Sequence, residues 1–128
     1  GTIVSEKFMD IPIDYASASK GISLGAGAFL ICDQRVSPVA FLSKLLNFFR
    51  HESCGKCTPC RVGTHRAYEI LDGMARRQGY TGEVEELRQL ADVMFDSSFC
   101  GLGQSVPIPM RSALDNFTEE FAAAERQV

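Results

Sequence analysis

The sequence predicts a mainly α-helical protein, a four-helix bundle preceded by a short segment of strands and turns. Three observations carry that expectation. From Ser37 onward, apolar residues recur at helical spacing in four successive stretches. The first three stretches open on helix-start signals, Ser37-Pro38, Thr58-Pro59 and Thr81 followed by acidic residues. Residues 1–36 show no such period and carry turn residues and short apolar runs instead.

In the first part, Ile11-Pro12-Ile13-Asp14-Tyr15 and the glycines at 21, 25 and 27 lead to Ala28-Phe29-Leu30-Ile31-Cys32-Asp33. That last run is short, apolar and bounded by turn residues, the pattern of a buried strand. The first helix is expected over 38–52, with Ser37 as cap, Pro38 at the first helical position, and Leu42, Leu45, Leu46 and Phe49 on one face. A second starts at Thr58-Pro59, buries Val62, Ala67, Ile70, Leu71 and Met74, and stops at Gly79. Thr81 caps a third, in which Glu83, Glu85 and Glu86 suit the positive end of the helix dipole and Val84, Leu87, Leu90, Ala91 and Met94 face inward. Pro107 and Pro109 delay a fourth, lined by Met110, Ala113, Leu114, Phe117 and Phe121, whose tail from Ala122 to Val128 is expected to fray. Four apolar stripes joined by short connections are best buried against one another.

At 128 residues the chain supports one core, and 45% hydrophobic with 23% charged residues is the balance of a globular domain. A formal charge of -3 with scattered Lys and Arg offers no phosphate-binding stripe, so nucleic acid is not an expected partner. No apolar run is long enough to span a bilayer and no export signal opens the chain, so a cytoplasmic protein without membrane insertion is expected.

In a reducing compartment, clustered thiols point to metal rather than disulfides. Cys54-Gly55-Lys56-Cys57-Thr58-Pro59-Cys60 sets three thiols at three-residue steps, and Cys100 follows after 39 further residues. Three thiolates on one loop can each reach a different iron of a cubane, leaving the fourth iron to a remote cysteine. Cys54, Cys57, Cys60 and Cys100 are therefore the expected ligands of one 4Fe-4S cluster. Gly55 lets the loop turn, Lys56, Arg61 and Arg66 would offset the negative charge of such a centre, and Gly101 and Gly103 free the backbone beside Cys100. Zinc bound by four cysteines usually takes two separated C-x2-C pairs, and the second pair is missing. A thioredoxin-type C-x-x-C leaves the third cysteine unexplained. Cys32 reads as a small apolar core residue, and His51 and His65 as surface groups. Gly25-x-Gly27 precedes a strand-like run and is no dinucleotide fingerprint.

Glu52-Ser53-Cys54-Gly55-Lys56-Cys57-Thr58-Pro59-Cys60-Arg61 and Ser98-Phe99-Cys100-Gly101-Leu102-Gly103 closely resemble motifs in the flavin-bearing, NADH-oxidising subunit of respiratory complex I and its relatives in NAD-linked hydrogenases and formate dehydrogenases. The resemblance covers the C-terminal part of that subunit. It implies that residues 1–36 are part of a β-grasp domain and residues 37–128 its iron-sulfur-binding bundle. It also implies an electron-transfer module, peripheral to a membrane complex, that relays electrons from reduced FMN to iron-sulfur clusters of a partner subunit. FMN and NADH would sit on an upstream domain not contained in this chain. The rival reading is a structural or docking domain stapled by a cluster or by zinc.

Overall fold

The computed structural model describes residues 1–125 and is mainly helical, with no β-strand among the described residues. Two 3-10 turns, Glu6–Phe8 and Tyr15–Lys20, precede α1 (Pro38–Glu52), α2 (Thr58–Ala75), α3 (Glu83–Ser97), α4 (Gly101–Ser105), α5 (Pro107–Asn116) and α6 (Thr118–Glu125). Helix α1 lies along α2, α3 packs against α2 and α5, and α6 touches α1, α2, α3 and α5. One core results. Leu42 and Leu46 of α1, Ile70 and Leu71 of α2, Leu87 and Met94 of α3, Met110 and Leu114 of α5 and Phe121 of α6 are all buried in it. Burying each such side chain contributes roughly 1.5–3 kcal/mol.

The first helix begins and ends where its pattern predicts: the Ser37 hydroxyl accepts from the Ala40 amide at 3.3 Å, with Pro38 in the first turn. Helix α2 begins as expected at Thr58 but ends at Ala75, before Gly79. The chain leaves it through a Schellman turn, in which the Arg77 amide donates to the Met74 carbonyl and the Gln78 amide to that of Gly73. Arg77 takes the left-handed conformation there, with φ 62°. Gly79 serves packing instead: a Cβ on it would lie 2.5 Å from the Ala124 carbonyl oxygen of α6. Val62, expected inside, is exposed.

Thr81 does not cap α3. Gly82 holds the cap position at φ 100°, and the cap itself comes from α6, where Glu125 Oε1 accepts from the Gly82 amide at 3.0 Å and the Val84 amide at 2.7 Å. The expected fourth helix is two pieces, α5 and α6, and an additional short helix that the pattern did not predict precedes it. A short α4 follows Cys100, Pro107 opens α5, and Phe117, at φ -129° and ψ 41°, separates α5 from α6. The expected fraying from Ala122 is not seen through Glu125, since Ala124 is buried; residues 126–128 lie outside the described residues.

The strand expected over 28–33 does not form. A strand needs a neighbour to take its N–H and C=O groups, and the described residues supply no other strand. Phe29, Leu30 and Ile31 are exposed, and Cys32 is exposed rather than part of a core. The start of the chain is tied down: the Ile3 amide donates to Ser112 Oγ at 2.9 Å, and Asn116 Nδ2 donates to the Ile3 carbonyl at 3.1 Å.

Removing the α6 carboxylate with Glu125→Ala should lower unfolding stability by about 1 kcal/mol through loss of the cap. Glu119→Ala, on the same helix, should change it by less than about 0.5 kcal/mol. Urea titration of both variants checks the difference.

Glu83 supplies a pH-dependent expectation. Its carboxylate is buried and accepts from the Tyr80 amide at 3.0 Å, with Arg66, Glu86 and Glu125 as charged neighbours. Burial pushes its pKa up, so the ionised form subtracts stability above the folded pKa, and that loss vanishes as pH falls below the unfolded value. Glu83→Gln should therefore be more stable than wild type at pH 7, with the gap closing as pH falls toward 4.5, the ordinary value. Denaturant midpoints measured across that range check it; a gap constant with pH contradicts it.

Candidate metal centre

Two breaks in the helical pattern build the site. The first is the link between α1 and α2. Ser53 closes α1, its amide donating to the Phe49 carbonyl at 2.9 Å, and Gly55 turns the chain at φ 73°. Arg61 reaches back from α2 and donates from Nη1 to the Gly55 carbonyl at 2.6 Å, which braces the loop. Cys57 then occupies the N-cap position of α2 and Cys60 its first turn. The second break is the α3 to α4 link, where Ser98 closes α3 and Cys100 sits at the start of α4.

These breaks bring all four predicted cysteines to one pocket. Cys54, Cys57, Cys60 and Cys100 line a cavity of about 100 Å³ together with Ser53, Lys56 and Leu102. Cys57 and Cys60 form its buried side, while Cys54 and Cys100 are exposed. Among the described residues, no three Cys, His, Asp or Glu side chains gather tightly enough to hold a single metal ion. The four cysteines share one cavity.

The sulfurs differ in environment. Amide donation from Phe99, then from Cys60, holds the Cys57 thiol below its usual range, and the Arg61 charge adds to this. Burial pushes the Cys60 thiol up, a hydrogen bond with Ser53 opposes that shift, and the negative charges of Cys57, Cys100 and Cys54 reinforce it. Cys60 thus senses the other three, and ionising all four together calls for positive charge between them.

Close packing holds Cys60 in place. The buried Thr64 hydroxyl donates to the Cys60 carbonyl at 2.7 Å. A Cβ on Gly103 would lie 2.5 Å from the Ser98 Cβ and 3.0 Å from the Cys60 Cβ, so glycine alone lets α4 approach α2 this closely. The Ser98 hydroxyl is buried there and has no hydrogen-bond partner. Four thiols on one cavity, oriented amides and an unpartnered buried hydroxyl suit an anionic metal-sulfur group.

Of the cations expected near the site, Lys56 lines the cavity and Arg61 braces its loop. Arg66 is committed elsewhere, its guanidinium donating to both Glu86 carboxylate oxygens at 2.6 and 3.0 Å and to the Tyr80 hydroxyl at 3.1 Å. That pairing raises the Arg66 pKa and lowers that of Glu86. His51 and His65 are exposed, and His65 pairs with Glu69 at 3.2 Å. Sequence reasoning missed Ser53 as a partner of the site and Gly103 as a steric requirement; a hydroxyl next to a ligand loop was the available signal for the former.

Fold and site together define a class: a small helical domain built around a four-thiol pocket, the donor set of soft transition-metal centres. Residues 40–124 match the family described as the NADH-ubiquinone oxidoreductase-F iron-sulfur binding region, and the chain belongs to that family. Its metal group is a 4Fe-4S cluster. The HndC protein of the NADP-reducing hydrogenase of Solidesulfovibrio fructosivorans is 38% identical over 125 residues, covering 96% of this chain and 25% of the relative. A subunit of the NADH-quinone oxidoreductase of Escherichia coli strain K12 is 34% identical over 126 residues, covering 97% and 28%. The chain therefore spans about a quarter of the length of these relatives. A crystal structure of NAD+-reducing [NiFe]-hydrogenase in the H2-reduced state superposes with a TM-score of 0.70 at 35% identity, over 74% of this chain and 16% of that one.

Gly103→Ala should reduce iron and sulfide bound per chain by pushing on Cys60 and Ser98, and Cys100→Ser should reduce them further. Cys32→Ser should leave both contents unchanged. Iron and acid-labile sulfide assays on the reconstituted variants check this; equal loss in all three contradicts the site as described.

Proposed function

We propose that Cys54, Cys57, Cys60 and Cys100 together hold one 4Fe-4S cluster, and that this centre relays electrons singly from reduced FMN to iron-sulfur clusters of a partner subunit in an NADH:acceptor oxidoreductase. The observation that carries the reading is the convergence of a three-cysteine loop and a cysteine 40 positions later on one cavity. When bound, the group supplies a centre that takes up and releases one electron. The chain's own residues hold and screen it. Amides and Arg61 favour negative charge at Cys57, the first turn of α2 fixes Cys60, and the exposed Cys54 and Cys100 leave one side open to redox partners.

In this proposal residues 1–36 are the end of a β-grasp segment and residues 37–128 the cluster-binding bundle. The exposed Phe29-Leu30-Ile31 run supports the first assignment, because it is a strand-like sequence with no strand beside it among the described residues. FMN and NADH belong to an upstream domain of the same assembly, which lies in the cytoplasm and is peripheral to the membrane. No described helix is long and apolar enough to cross a bilayer.

After anaerobic reconstitution, the chain should bind four irons and four sulfides and give a paramagnetic resonance signal on reduction with dithionite. FMN and NADH added to this chain alone should reduce no acceptor. A colourless chain holding stoichiometric zinc and silent in that experiment would instead support a structural staple.

A further inference from the structure

One of the four cysteines has a side-chain hydrogen-bond partner. Cys60 is served by a side chain: Ser53 Oγ lies 3.3 Å from Cys60 Sγ. Among the described residues this is the one side-chain hydrogen bond made to any of the four sulfurs.

Its direction follows from the chemistry of the site. With Cys60 as a thiol, either atom can be the donor. A thiolate bound to iron has no proton to give, so between the two Ser53 must then be the donor. The local geometry prepares it for that role. Ser53 Oγ already accepts from the Gly55 amide at 3.3 Å, which uses a lone pair and leaves the hydroxyl proton free for sulfur. The Ser53 backbone is held by α1, its amide donating to the Phe49 carbonyl. The bond sits on the buried side of the pocket, where Cys60 is 5% exposed and water competes little.

We infer that Ser53 is a positioning and tuning residue of this centre: its hydroxyl donates to the Cys60 thiolate and holds the reduction potential of the bound cluster higher than four unassisted thiolates would. One-electron reduction adds one negative charge to the centre without making or breaking a bond, and a donor aimed at a ligand sulfur stabilises the more negative form. The inference rests on Cys60 being a cluster ligand. It goes beyond that assignment by naming the side chain that sets the electronic character of the site.

The test is a redox titration of the reconstituted full chain followed by paramagnetic resonance, comparing wild type with Ser53→Ala and Ser53→Thr. Iron and sulfide are counted in each sample first. With four irons per chain in all three, Ser53→Ala should have a more negative potential than wild type, whereas Ser53→Thr, which keeps a hydroxyl, should return toward the wild-type value. A purely structural role would not produce that ordering. Equal potentials in loaded wild type and Ser53→Ala overturn the inference and leave the cluster assignment standing. If Ser53→Ala fails to load, Ser53→Gly replaces it; failure of both while Ser53→Thr loads also overturns the inference, because it makes Ser53 a loop-forming residue only. Wild type without iron is a different result, and that one sinks the ligand assignment itself.

Discussion

Four thiols held around one cavity repel one another as soon as they ionise, and the rest of the structure is organised around that constraint. At separations of a few Å and the effective dielectric of a partly buried site, each pair of like charges costs on the order of a few kcal/mol. Cys60 shows the effect directly, since burial and the charges of its three neighbours all push its thiol up. Oriented amides and Arg61 relieve part of the repulsion at Cys57. The remainder is the physical reason a positively charged iron-sulfide core would suit this pocket.

The helices supply the force that holds the thiols in place against that repulsion. Each cysteine lies within or beside a helix terminus, so the positions of α1, α2, α3 and α4 determine those of the sulfurs. Close contacts at glycines make the positions strict. Gly63 lets α2 approach α3 at Met94, where a Cβ would fall 2.7 Å from the Met94 Cγ, and Gly103 lets α4 reach Cys60. At the opposite end of α3, Gly79 and the Glu125 cap fasten α6 to the α2–α3 connection. The core is thus clamped at both ends of α3, and only one of those ends carries the thiols.

Much of this was legible in the sequence where the signal is local. Ser37-Pro38 and Thr58-Pro59 mark two helix starts because proline in the first turn is a local signal, although Ser37 caps its helix whereas Cys57, not Thr58, holds the cap position of α2. The spacing of Cys54, Cys57 and Cys60 with a remote Cys100 pointed to the residues that meet at the cavity. The misses arise where distant parts decide. The α3 cap comes from Glu125, 43 residues beyond Gly82, and no local pattern around Thr81 reveals it. Helix α2 ends through a turn that places Arg77, rather than a glycine, in the left-handed region, and Gly79 is required by α6 instead. The apolar run 28–33 has a strand's composition, yet pairing is a property of two strands, and no other segment among the described residues pairs with it. Ser53 was missed as a sulfur partner because a hydroxyl beside the ligand loop is a weak signal, and its bond to Cys60 depends on how α1 ends against the start of α2.

Iron K-edge X-ray absorption on the reconstituted full chain tests the central claim most directly, because it reports the atoms around each metal without relying on activity. A 4Fe-4S centre held by four cysteines requires an all-sulfur first shell and a second shell of iron scatterers at every iron. A first shell containing nitrogen or oxygen, or the absence of iron-iron scattering, would contradict the account.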